Sequence, residues 1–107
     1  MKLFTSLRIR SFLLIFFSIC ATQVFAQAVG DYRSNSATMN WSQRNRWERW
    51  DGTAWTAPTM AQGTPTNASG VITIRNGHTV TVTASVIIDQ CTIDAGGQVT
   101  VNAGQIL

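Results

Sequence analysis

Residues 70–107 constrain the fold most, because they repeat. Residues 70–88 laid over 89–107 give eight identities in 19 positions: Thr73/Thr92, Ile74/Ile93, Gly77/Gly96, Val80/Val99, Thr81/Thr100, Val82/Val101, Ala84/Ala103 and Ile87/Ile106. Ile72/Cys91 and Ile88/Leu107 add apolar matches. A period near 20 residues is the mark of units that stack on one another. Within each unit apolar residues alternate with Thr, as in Ile72-Thr73-Ile74 and Val80-Thr81-Val82. Such alternation predicts strands with one buried face and one wet face. Gly77, Gly96, Gly97 and Gly104 fall between the strands, where corners need permissive backbone.

The expected fold is all-β, the start of a parallel β-helix (a solenoid) with 19-residue coils, 70–88 and 89–107. Ile74 would then lie over Ile93, Val80 over Val99 and Val82 over Val101. The alternative is an antiparallel β-hairpin sandwich, because Asn76-Gly77 between two alternating runs is a strong hairpin signal. A solenoid unit cannot bury its own apolar face, and about three units are needed for stability. The chain is therefore expected to be a truncated piece of a longer protein, with continuation of its own solenoid as one partner.

The opening 26 residues read differently. Lys2, Arg8 and Arg10 precede the apolar run Phe12 to Cys20, and Val24-Phe25-Ala26 places small residues before Gln27. A basic stretch, an apolar run and a small-residue site are the layout of a secretory signal peptide. It is expected over 1–26 with cleavage after Ala26. The run falls short of the roughly 20 residues of a membrane span, so no stable span is expected after cleavage. Ile19 before Cys20 fits a lipidation box poorly. The net charge of +3 belongs to this leader: beyond it five Arg (33, 44, 46, 49, 75) balance five acids (31, 48, 51, 89, 94). A neutral mature chain argues against a nucleic-acid partner, even with Arg44, Arg46 and Arg49 close together. Cys91 is then the one remaining cysteine, expected as a small buried hydrophobe.

Residues 27–69 differ in composition from residues 70–107. They hold all four tryptophans, Trp41, Trp47, Trp50 and Trp55, and both prolines, whereas 70–107 has no aromatic residue. The preferred reading is a Trp-rich N-terminal cap over the open end of the solenoid, since stacked repeats need a capping element. The other reading is a carbohydrate platform, with Trp41, Trp47, Trp50 and Trp55 stacking on sugar faces.

Several runs carry a family resemblance. They are Asp31-Tyr32-Arg33-Ser34, Asn40-Trp41-Ser42, the stretch Trp47 to Trp55, and above all Gly70 to Val82 (GVITIRNGHTVTV). Together they resemble the N-terminal region of large secreted, adhesin-like parallel β-helix proteins of Gram-negative bacteria that use type IX secretion. A distant similarity to the extracellular domain named for its eight glycines accompanies it. The resemblance spans roughly 29–107 and implies export, a surface or extracellular place and no catalytic residues.

The remaining chemistry is sparse. His78 is the single His, so no Cys/His zinc spacing exists, and a corner hydrogen bond to backbone is its expected role. Asp89 and Asp94 read as solvated turn residues. No catalytic, cofactor or metal residue is expected, and no enzyme. The function expected is an exported, non-catalytic structural or adhesin-like module, secreted or at the cell surface, with a polysaccharide or another surface ligand as partner. The alternative is the carbohydrate-binding N-terminal part of a longer polysaccharide-active enzyme.

Overall fold

Alternating apolar and polar residues resolve into eight short strands in a computed structural model that describes residues 26–107. The predicted leader lies outside the described residues, Ala26 excepted. The strands are β1 (Tyr32–Ser34), β2 (Thr38–Asn40), β3 (Trp47–Trp50), β4 (Trp55–Thr56), β5 (Ile72–Ile74), β6 (Thr79–Val82), β7 (Cys91–Ile93) and β8 (Gln98–Val101). One 3₁₀ turn, Arg44–Arg46, leads into β3. Among the described residues no helix is long and apolar enough to cross a membrane.

The strands form two sheets. One has five strands in the order β4-β3-β1-β5-β7, and the other has three in the order β2-β6-β8. The larger sheet is mixed: β1 and β3 pair antiparallel, as do β3 and β4, while β1–β5 and β5–β7 are parallel. The smaller sheet is parallel throughout. Residues 19 apart are register partners, Ile74 with Ile93 and Val80 with Val99.

The core lies between the sheets. Tyr32, Met39, Trp41, Trp47, Ile72, Ile74, Val80 and Val82 are all buried, with Val86, Ile88 and Val99 packed against them. β5 and β6 send alternate residues inward, which is why Ile72 and Ile74 are buried while Thr73 between them is half-exposed. At the corner between β7 and β8, Gly96 is held at φ +83° against the preceding corner, and a Cβ there would collide with Asn76 Oδ1. Both the positive φ and the close approach demand glycine.

The expected architecture needs correction. Among the described residues no closed solenoid coil is formed: each repeat unit supplies one strand to each of two separate sheets, and residues 83–90, which would have to close a coil, contain no strand. The antiparallel strands β3 and β4 also break the parallel pattern. The aromatic segment is not a cap laid over an end. It contributes β1 to β4, and β1 and β2 pair in parallel with β5 and β6. The hairpin alternative fails as well, because the Asn76-Gly77 turn joins strands of different sheets. The physical reason is shared: alternation reports which side chains are buried, and says nothing about which strand supplies the hydrogen-bond partner. The protein is an all-β domain built on one mixed and one parallel sheet.

Burial is uneven. Ile74 and Val82 are fully buried, whereas their equivalents Ile93 and Val101 are 51% and 41% exposed. The core is thus made by the aromatic segment and the first unit. Cys91, expected buried, is exposed in the edge strand β7.

Candidate functional site

The outer face of the five-stranded sheet gathers the side chains that the core excludes. In β1 and β3 the inward residues are Tyr32, Ser34 and Trp47, so Arg33, Glu48 and Trp50 point away from the core. Register places Arg33 opposite Glu48 on one side and Thr73 on the other, with Trp50 opposite Trp55. Arg75 and Asp94 directly succeed β5 and β7 and line the same face.

These groups are held in place. Arg33 Nε donates to Glu48 Oε1 at 2.9 Å, and the Arg33 guanidinium lies over the Trp55 ring, 4.4 Å from its centroid. Trp55 in turn packs edge-on against Trp50 at 5.4 Å. Arg75 Nε donates to the Ser34 carbonyl and its Nη2 to Asn35 Oδ1, each at 2.8 Å. Asp31 anchors the rim: Oδ2 accepts from Ala28 N–H and Oδ1 from Val71 N–H. Gly70 makes that anchorage feasible, since a Cβ there would collide with Asp31 Oδ1.

Between them runs a groove of about 540 Å³, whose lining includes Asp31, Arg33, Trp55, Thr73, Arg75 and Asp94, together with Val71, Gln27 and Ala26, the last residue of the predicted leader. That volume is in the range of small-molecule sites, about 300–1,000 Å³. Two guanidinium groups and two carboxylates leave its lining neutral overall.

The four tryptophans divide into two pairs. Trp41 and Trp47 are buried, 4.9 Å apart and edge-to-face, with Tyr32 on the other flank of Trp47. Trp47 Nε1 donates to the Trp41 carbonyl at 2.9 Å, and Trp41 Nε1 to the Pro65 carbonyl at 3.0 Å. The Tyr32 hydroxyl reaches the Gly63 and Gln62 carbonyls. These bonds staple the loop after β4 onto the core, and burial pushes the Tyr32 hydroxyl's pKa up. Trp50 and Trp55 are half-buried on the outer face, and of the two only Trp55 lines the groove. A sugar needs an exposed ring or ring edge, which Trp41 and Trp47 do not offer.

His78 sits at the corner, as its position after Asn76-Gly77 predicts, but it bonds a side chain. Its Nδ1 lies 2.7 Å from Ser34 Oγ, which already accepts from Arg75 N–H at 3.0 Å. The Ser34 hydroxyl therefore has its proton free to donate to an unprotonated Nδ1, an assignment made from the network. Desolvation first, and the Arg75 charge second, hold the His78 pKa below its ordinary value. Partial burial of the sulfur raises the Cys91 thiol's pKa, although the residue as a whole is exposed at the sheet edge. Among the described residues no group of three or more His, Cys, Asp or Glu is placed to hold a metal.

Arg33, Arg75, Asp31, Thr73 and Asp94 are the site residues that sequence reading missed. The available signal was their position: Arg33, Thr73, Arg75 and Asp94 each sit one residue from an apolar or small residue of a strand. Recognising it required knowing that β1 lies beside β5. Comparison with protein-family models, curated proteins and solved structures returns no match.

Proposed function

We propose that this chain is an exported, non-catalytic adhesive module, acting at the cell surface or outside the cell. Its leader layout supports export, and the resemblance to adhesin-like secreted proteins points to the same place. One observation carries the adhesive reading. Interior polar groups are spent on internal bonds, with no buried side-chain N or O lacking a partner among the described residues. Arg33, Arg75 and Asp94 line an open groove, and their bonds to described residues leave donors and an acceptor over for a ligand.

The non-catalytic part rests on how the chemically suggestive pair is placed. Ser34 and His78 have the separation of a nucleophile and its base. Yet Ser34 is fully buried, and its oxygen is already bound by Arg75 N–H. A substrate carbonyl cannot reach it, so the pair serves as a clamp between β1 and the β5–β6 corner.

The test is expression with the native leader and a C-terminal epitope in a Gram-negative host, with fractionation and N-terminal sequencing. The expected result is a mature chain beginning at Gln27, outside the inner membrane, that increases attachment of the cells carrying it. A chain retained in the cytoplasm with its leader intact, or an exported chain with no effect on attachment, would defeat the proposal.

A further inference from the structure

We infer that the outer-face groove binds a neutral, hydroxyl-rich polysaccharide segment of one or two sugar rings. The inference rests on the adhesive reading and names its ligand class and site.

The argument starts from unused hydrogen-bond capacity. Among the described residues Arg33 commits Nε to Glu48 and neither terminal nitrogen to a hydrogen bond. Arg75 commits Nε and Nη2 there and leaves Nη1 over. Asp94 makes no side-chain hydrogen bond to a described residue, so among the described residues its carboxylate has no donor. Thr73 stands opposite Arg33 across the β1–β5 pair and two positions before Arg75, and it lines the groove with both. Donors that cannot accept thus neighbour an acceptor that cannot donate. A vicinal diol does both, with one hydroxyl accepting from guanidinium while its neighbour donates to carboxylate.

Charge decides against the competing ligands. An anionic glycan would gain from Arg33 and Arg75 but would meet Asp31 and Asp94 across the same groove. A cationic ligand meets the opposite conflict. Only a neutral partner uses all four groups without leaving one opposed by like charge. The groove is also set before binding: Trp55 supports the Arg33 plane, and backbone and Asn35 oxygens fix Arg75. Fixed side chains lose little entropy on binding, which is how a shallow site gains affinity. Trp55 and Val71 line the groove and give it apolar surface for a sugar's C–H groups.

The experiment uses the protein purified after export through its own leader, so that the groove is tested with Gln27 as its N-terminal lining residue and without Ala26. Dextran and mannan serve as neutral probes and polygalacturonate as the anionic one, read by calorimetry and by Trp emission at low and high salt. Saturable binding of a neutral probe, little changed by salt, is expected. Asp94→Ala should weaken it about tenfold to hundredfold, as loss of a charged hydrogen bond does. Thr73→Val keeps strand shape and should weaken it less, with both variants retaining the wild-type circular dichroism. The inference is overturned by preference for polygalacturonate, by absence of neutral binding, or by neutral binding that neither variant alters. If cells still attach while neutral glycans do not bind, the ligand class fails and the adhesive reading stands. If attachment itself is absent, the adhesive reading fails first.

Discussion

Replacing Trp47 by Ala should unfold the protein or bring it to the brink. Trp47 is fully buried, and removing a buried Trp side chain costs about 3–5 kcal/mol from lost transfer and the cavity left behind. Its indole N–H also satisfies the Trp41 carbonyl at 2.9 Å. Stranding that carbonyl without water adds about 1–3 kcal/mol. The edge-to-face partners Trp41 and Tyr32 lose a further ~0.5–1.5 kcal/mol each at most, part of it already counted in the cavity. The sum, about 4–8 kcal/mol, rivals the whole stability of a domain this size, roughly 4–12 kcal/mol. Trp55→Ala makes the control. That ring is half-exposed and its cation–π contact with Arg33 is worth about 0.5–1 kcal/mol, so a loss near 1–2 kcal/mol is expected. Urea and thermal unfolding monitored by far-UV circular dichroism separate the two, since each kcal/mol moves the midpoint by about 4–8 °C. A Trp47→Ala protein melting within about 10 °C of wild type, the shift of only one or two kcal/mol, would refute the view that Trp47 anchors the core. Equal losses for the two variants would refute the division into core and surface tryptophans.

The geometry fixes three further outcomes. The folded state holds the His78 pKa below its ordinary 6.5, so the unfolded chain takes up the proton first as pH falls. Stability should be full above about pH 6.5 and decline as pH drops through the folded-state value, and His78→Gln should flatten that decline in pH-dependent melts. The Cys91 thiol, raised by partial burial, should react with a disulfide reagent at about pH 8 more slowly than in the unfolded chain, and the difference should shrink at higher pH. Gly70→Ala puts a methyl group against Asp31 Oδ1 and should cost about 1–3 kcal/mol, measured by urea unfolding, with exchange of the Ala28 and Val71 amides accelerated as their carboxylate partner is displaced.

The part of the fold visible in the residues is the part that repeats. Ile72, Ile74, Val80 and Val82 alternate with Thr, and all four are buried with those threonines turned outward. Their offset of 19 from β7 and β8 is also the observed register. The aromatic segment hid its own strands because Tyr32-Arg33-Ser34 and Thr38-Met39-Asn40 share little residue pattern with Ile72-Thr73-Ile74 and Thr79-Val80-Thr81, although they pair with them. What β1 and β5 share is the inward placement of alternate side chains, a property that Tyr, Ser and Ile can all satisfy at different volumes. The large rings of Trp41 and Trp47 complete a core in which Ser34 takes little room. Composition therefore pointed to a separate cap where the packing makes one continuous core.

The same reasoning explains why the groove could not be read along the chain. Arg33, Thr73 and Asp94 lie far apart in sequence, and neither interval between them is a motif. They meet because β1, β5 and β7 are neighbours in one sheet. Tryptophan draws attention as a sugar-binding residue, but its indole N–H and large apolar area make it equally suited to stapling a loop onto a core, as Trp41 does through Pro65. The deciding quantity is whether the ring can be covered on both faces by the same chain. For Trp41 and Trp47 it can, because the loop after β4 folds back onto the core beside them. For Trp55, at the start of the shortest strand and at one edge of the sheet, no further strand among the described residues covers it, and its ring is left to support an arginine at the edge of an open groove.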